Sequence, residues 1–324
     1  MKSLCIFNHK GGVGKTTLTY NLGHILADKS KKVLLVDADA QCNLTSMCLN
    51  KEHLEKVYAH DTKTIYKALE GVITGSGDIN VAINPIEISE NLYLLPGHIG
   101  IAEYEAQLST AWTECFAGYE RGFRVHGAIH RLVEQLAEFD NIDYVLFDLG
   151  PNIGPLNRSL LLSCDYFALP VAPDLFSLMA IKTVSNNISK WHDEWGVVQT
   201  RLPEKLELSI QKGTPKFIGY IPQRFNISRG NPTQAFNYWN LQFKSEIENQ
   251  IIKKFPKELV VEGSDYALRS IKNYHSLVPA AQRYSKPIYK LETPEINIGH
   301  MGKVRSCKED FIALSDMIEI RTTA

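Results

Sequence analysis

The 324-residue chain carries 35 lysines and arginines against 36 aspartates and glutamates, a formal net charge of −1. That balance excludes a uniformly basic nucleic-acid coat and an acidic disordered tail, and 44% hydrophobic with 22% charged residues is ordinary for a globular chain. The length allows one large α/β domain or two average ones, and a core that needs no disulfides. The cysteines (Cys5, Cys42, Cys48, Cys115, Cys164 and Cys307) are scattered without a C-x-x-C pair and are read as buried or half-buried thiols. No leader-like segment precedes the first apolar run, and no stretch approaches the ~18 apolar residues of a membrane span. The expectation is a cytoplasmic protein with no membrane partner.

In chain order, Ser3–Asn8 reads as a buried strand, a glycine-rich turn follows, and Lys15–Asp28 spaces Leu18, Leu22, Ile25 and Leu26 as a helix. Lys32–Asp37 is the next strand, so the opening is a βαβ unit and implies a parallel sheet. Asn91–Pro96, Tyr144–Asp148, Tyr166–Val171 and Phe217–Ile221 read as further strands, with helical patterns at Gly127–Glu138 and Leu178–Trp191 between them. The fold class is α/β, a mostly parallel twisted sheet flanked by helices. One domain over 1–324 is the simpler organisation, with surface excursions near 113–126, 191–215 and 228–240. Phe243, Ile247 and Ile251 are spaced as an amphipathic helix, and His126 and His130, beside Arg131 and Glu134, read as surface residues. The tail Phe311–Ala324 reads as a helix packed on the core, too acidic for anionic lipid.

Between the first strand and the first helix lies Lys10-Gly11-Gly12-Val13-Gly14-Lys15-Thr16-Thr17. Glycines let such a turn aim successive backbone N–H groups inward as an anion nest, and the helix N-terminus adds partial positive charge. Lys15 is placed to reach the β- and γ-phosphates, and the Thr16 hydroxyl to ligate Mg²⁺. The usual G-x-x-x-x-G-K-[ST] pattern would have glycine at position 9; here His9 stands there and an additional lysine, Lys10, opens the loop. This is the deviant Walker A form. It specifies a P-loop NTPase and predicts ATP and Mg²⁺ as cofactors.

Strands ending in acid complete the pattern. Asp37 and Asp39 lie in D-A-D-A-Q-C-N, and Tyr144–Asp148 is a Walker B-like strand followed by Leu149-Gly150-Pro151-Asn152. Phosphoryl transfer needs positioning and charge neutralisation more than covalent chemistry, which suits carboxylates at strand ends.

Together, FNHKGGVGKTTLTYNLG and VLLVDADAQCNLT resemble the ParA/MinD group of dimeric ATPases, ParA-type partition ATPases above all. Asn91–Leu108, Leu169–Ile181, Gly219–Asn226 and Tyr284–Leu291 extend the resemblance over most of the chain. It implies an ATP-dependent homodimer in which Lys10 acts in trans and Lys15 in cis, with Asp39 orienting the attacking water. Asp37 and Asp148 would hold the Mg²⁺ shell through water, Gly150 would move when the γ-phosphate leaves, and Gln223 and Arg224 would touch the base. Departures are Ala40 and Cys42 where the family has Pro and Gly, and Ser285 for Gly.

The even charge hides an asymmetry. Residues 263–308 hold eight lysines and arginines against three acids, and residues 100–143 three arginines against eight acids. By resemblance, the basic C-terminal region would bind DNA non-specifically, with Arg269, Lys272, Arg283 and Lys286 as phosphate contacts. The expected function is a slow, partner-stimulated ATPase in plasmid or chromosome partition or cargo positioning, nucleoid-associated if it binds DNA. Its partner would be a ParB-like or cargo adaptor protein. The alternative is a ParA-like ATPase for polar localisation, secretion or phage defense without DNA; a metabolic ligase or carrier is disfavoured by Lys10.

Overall fold

The computed structural model describes residues 1–60, 63–224, 227–228, 231–232, 234–274 and 276–323. Its strands β1 (Lys2–Ile6), β2 (Val33–Asp37), β3 (Ile86–Ser89), β4 (Leu92–Leu95), β5 (Tyr144–Asp148), β6 (Tyr166–Val171) and β7 (Lys216–Pro222) form one sheet. The order is β3-β4-β2-β5-β1-β6-β7, parallel throughout except at the antiparallel β3–β4 edge. Strands covered on both faces need apolar residues at every position rather than alternation, and β2 and β5 are buried along their whole length. The expected α/β sheet flanked by helices is what forms.

Side chains of β1 and of Phe7, the residue after it, alternate between two cores. Cys5 and Phe7 join the cluster built with helices Ile101–Phe116, Ala128–Asp140 and Leu175–Gln199, while Leu4 and Ile6 join the one built with helices Lys15–Asp28 and Met301–Arg321. Helix Lys15–Asp28 lies so close to the sheet that a Cβ at Gly23 would sit 2.7 Å from Leu35 Cδ2. Parallel strands place all their carboxyl ends on one edge. Because β1 and β2 both flank β5, the glycine loop after β1 and the acids ending β2 and β5 meet there; Asp37 and Asp148 are direct register partners.

Four readings from sequence are corrected. The segment 191–215 is not wholly an excursion: helix Leu175–Gln199 runs through its first part and buries Trp191, Trp195 and Val198. The 113–126 region is no surface excursion either, since helices Ile101–Phe116 and Glu120–His126 bury Trp112, Cys115, Phe123 and Val125 in the core. His126 is 1% exposed rather than on the surface, stacked on Trp195 at 5.0 Å between ring centroids, with Arg158 over the neighbouring Trp112 ring; His130 is half-buried beside Glu134. Of the 228–240 excursion, residues 229–230 and 233 lie outside the described residues, and helix Gln234–Ile247 occupies the rest of its length from Gln234 onward. Phe243, Ile247 and Ile251 are buried as their spacing requires, as are Phe311, Leu314 and Ile318 of the last helix. Five of the six cysteines are buried and Cys42 is half-buried.

Burial holds His24 and His126 neutral, depressing each from 6.5 to about 3, with Lys290 and Arg158 respectively adding to the effect. The unfolded chain therefore takes up protons that the folded one refuses. The stability this represents is fully present above pH 6.5 and is lost as pH falls below it. Each histidine should cost about 2 kcal/mol between pH 7 and pH 5. Urea unfolding at the two pH values should show His126→Gln losing about 2 kcal/mol less than the unmodified chain over that interval.

Candidate nucleotide site

The loop after β1 turns through left-handed glycines, Gly12 (φ 70°) and Gly14 (φ 85°), and helix Lys15–Asp28 starts directly from Gly14. Gly11 is exposed, packed toward Pro151. Val13 is buried; Thr16 and Thr17 are half-buried on the first helical turn. Lys15 is 8% exposed, its Nζ 3.4 Å from the Lys10 carbonyl, so its side chain curls back over the loop. Burial lowers the Lys15 ammonium, and Asp148 and then Asp39 pull it back up.

Asp37 and Asp148 are fully buried. Asp37 Oδ2 accepts from the Thr45 N–H at 2.8 Å and the Thr45 hydroxyl at 2.6 Å, while Thr45 Oγ1 also accepts from the Gly97 N–H at 2.9 Å. Burial raises the Asp37 carboxyl to about 6 against these hydrogen bonds. Among the described residues neither oxygen of Asp148 makes a hydrogen bond of ordinary geometry, the Thr16 hydroxyl being the donor that faces it. Burial pushes its carboxyl well up, as does the Asp37 charge, while the facing Thr16 hydroxyl pulls it down. An under-bonded buried carboxylate is costly, and a hard cation bound through oxygen or water would remove that cost. The Thr16 hydroxyl, Asp148 and, behind it, Asp37 are the donor set that Mg²⁺ favours. Asp39 is half-buried; its Oδ1 accepts from the Gln41 N–H at 3.0 Å and lies 3.4 Å from the position of a Cβ on Gly150. Asp39 therefore borders the strand-end turn that follows Asp148.

Lys10 departs from the cradle. Its Nζ pairs with Asp174 and reaches Ser177 Oγ at 3.2 Å, in the first turn of helix Leu175–Gln199. Gln223 is 7% exposed against Gly14, with Nε2 unpartnered, and Arg224 donates to the Gly12 carbonyl. Both border a recess beside the loop, whose further lining is Thr17, Leu18, Ile271, Lys272, Asn273, Tyr274, Val278, Ile288 and Phe311. This largely apolar recess adjoins the phosphate nest, on the side where the base and ribose of a bound nucleotide could lie.

Sequence reading located the loop and its carboxylates but not Thr45, Asp174, Ser177 or the 271–274 wall. Thr45 stands in the quoted NLT run, and Asp174 and Ser177 in the quoted Leu169–Ile181 stretch, but nothing there marked the individual residues. The basic candidates are largely spoken for: Arg269 and Lys272 face Asp310 at 2.7 and 3.7 Å, and Lys286 pairs with Glu295 at 2.6 Å. Arg283 is exposed, its guanidinium 5.6 Å from the Tyr284 ring.

Sheet order, phosphate loop and paired strand-end acids define a P-loop nucleotide-binding protein. The chain belongs to the AAA domain family AAA_31, whose model matches residues 1–202, and within it is a ParA-type P-loop ATPase. It is 26% identical to the uncharacterized protein MJECL24 of Methanocaldococcus jannaschii over 88% of this chain and 96% of that one. It is 30% identical to the virulence plasmid ParA family protein pGP5-D of Chlamydia psittaci over 58% of this chain and 66% of that one. Among solved structures it resembles protein DIP2308 of Corynebacterium diphtheriae, with a TM-score of 0.73 and 26% identity over 88% of this chain and 97% of that one. It shares its fold with pNOB8 ParA bound to nonspecific DNA, with a TM-score of 0.61 and 18% identity over 99% and 98% of the two chains.

Asp148→Asn removes a buried, under-bonded charge. Thermal unfolding should show the ligand-free variant stabilised by about 1–3 kcal/mol. The same scan with Mg²⁺ and ATP should show no ligand-dependent rise for the variant and a clear one for the unmodified chain.

Proposed function

We propose that the chain is an ATP-binding and ATP-hydrolysing dimerisation switch of the ParA type, acting in DNA partition or cargo positioning. The observation that carries this reading is the opposite placement of two lysines on one loop. Lys15 is buried against Asp148 and Asp39, where it serves the chain's own nucleotide. Lys10 points away onto the outer turn at Asp174 and Ser177, where it is available to the phosphates of a second copy. Of the three acids, Asp37 and Asp148 are wholly enclosed and suit the Mg²⁺ shell; half-buried Asp39, beside Gly150, is the one able to orient water.

In this reading the ATP dimer holds DNA through phosphate contacts. A ParA bound to nonspecific DNA has the same fold, which supports it. Arg269, Lys272 and Lys286 already face carboxylates, so the contacts fall to Arg283 with Lys303, Arg305 and Lys308 on the last helix. These four are exposed and have no carboxylate partner among the described residues. Dimerisation doubles this patch and raises affinity by avidity. A ParB-like or cargo adaptor protein would stimulate hydrolysis and release. Among the described residues no helix is long and apolar enough to cross a membrane, and the reading places the protein in the cytoplasm on the nucleoid.

Sedimentation velocity should show the chain dimeric with ATP and monomeric with ADP. Lys10→Ala should weaken that dimer at least about ten-fold, and Asp39→Ala should retain it while abolishing phosphate release. Normal ATP-dependent dimerisation by Lys10→Ala would remove the trans role. DNA co-sedimentation at low salt should be ATP-dependent and lost on replacing Arg283, Lys303, Arg305 and Lys308 with alanine; a dimer that never retains DNA would favour polar localisation, secretion or phage defense.

A further inference from the structure

Asp310 is a buried carboxylate, 1% exposed, on helix Met301–Arg321, and belongs to none of the motifs above. Three groups from one short segment converge on it. Arg269 Nη2 and Nε donate to Oδ1 at 2.7 and 3.2 Å, Lys272 Nζ lies 3.7 Å from the same oxygen, and the Tyr274 hydroxyl donates to Oδ2 at 2.6 Å. That segment first runs beside β7, with Leu268 N–H donating to the Tyr220 carbonyl at 2.9 Å and Ile271 N–H to the Pro222 carbonyl at 2.8 Å. It then leaves the sheet and becomes the wall of the recess facing Gly14 and Gln223. Phe311, the residue after Asp310, lines the same recess.

A buried carboxylate must be matched by hydrogen bonds and opposite charge, and every side-chain partner Asp310 has among the described residues comes from this wall or its base. Between Ile271 and Tyr274 the wall is neither strand nor helix, with Ile271 bonded to Pro222 and Lys272 in a single β-bridge, and Asp310 adds the side-chain anchor on the side of the last helix. Two cations facing one carboxylate also leave a positive charge on the recess lining, at Lys272.

We propose that Asp310 is a positioning residue for the nucleoside end of the bound nucleotide: it holds the 271–274 wall so that Lys272 and Tyr274 bear on the base and ribose while the glycine loop bears on the phosphates. This rests on the nucleotide reading above. It also moves Lys272 from a DNA surface to the lining of the nucleotide pocket, and Arg269 to the support of its wall.

The test separates the two ends of the ligand. Calorimetric binding of Mg-ADP and of magnesium tripolyphosphate, which has no nucleoside, is measured for the unmodified chain, Asp310→Asn, Asp310→Glu and Tyr274→Phe. Asp310→Asn should weaken Mg-ADP about ten-fold and leave tripolyphosphate within about two-fold, and Asp310→Glu should recover part of the loss. Tyr274→Phe keeps the ring, removes one hydroxyl, and should weaken Mg-ADP about three-fold by the same selectivity. Equal loss of both ligands would make Asp310 a fold-stabilising residue only and overturn the proposal, as would unchanged Mg-ADP binding in Asp310→Asn and Tyr274→Phe. An unmodified chain that binds neither ligand would overturn the nucleotide reading itself, whereas one that binds tripolyphosphate but not Mg-ADP would overturn this proposal alone.

Discussion

The site depends on a buried carboxylate that the protein leaves under-bonded. Asp148 is fully enclosed, its oxygens make no hydrogen bond of ordinary geometry among the described residues, and its register neighbour across β2 and β5 is a second buried acid. Parallel pairing forces that adjacency: strands that run the same way end together, and their terminal residues share a few ångströms of the sheet edge. The fold tolerates the arrangement by giving Asp37 two donors from Thr45 and leaving Asp148 to Thr16 and Lys15. Strain of this kind is concentrated where charge is to be received, and a dication with a polyphosphate supplies it.

The sheet and its loop were legible because burial on both faces erases polar residues from the strands. Tyr144–Asp148 and Tyr166–Val171 are continuous apolar runs bounded by turns, and their limits as read are those observed. The long helix was cut short because Lys190, His192, Asp193 and Glu194 made its second half look like surface. Trp191, Trp195 and Val198 carry a helical period through that stretch and are all buried. The 228–240 region beyond Gln234 was underestimated in the same way, its polar start hiding a helix. Least legible were the ion pairs. Lys10 and Asp174 are 164 residues apart, and Arg269 and Asp310 are 41 apart. Local composition contains nothing that says which acid a given lysine will meet. For that reason a count of basic residues placed a DNA surface where three of its four members already face carboxylates.

Two departures from the resembled pattern share one backbone consequence. Cys42 and Ser285 stand where glycine is usual, and both are left-handed, at φ 52° and φ 48°. A side chain there costs roughly 1 kcal/mol relative to glycine. The chain has kept the turn and changed the residue. Cys42 begins helix Asn43–Cys48, whose Thr45 holds Asp37, so the loop carrying Asp39 is stiffer here than a glycine would make it. Ser285 closes helix Val278–Tyr284, next to the recess that Val278 and Ile288 line.

Asp174 divides its two oxygens between two tasks. Oδ1 accepts from the Ser177 N–H at 2.8 Å and caps the 25-residue helix, while Oδ2 holds the Lys10 ammonium. The lysine can therefore leave without unravelling the first turn, because the bond that ends the helix is not the bond that is broken. Breaking that ion pair asks no folding work of the helix. The loop is thus held by a clasp that opens without tearing the fabric to which it is sewn.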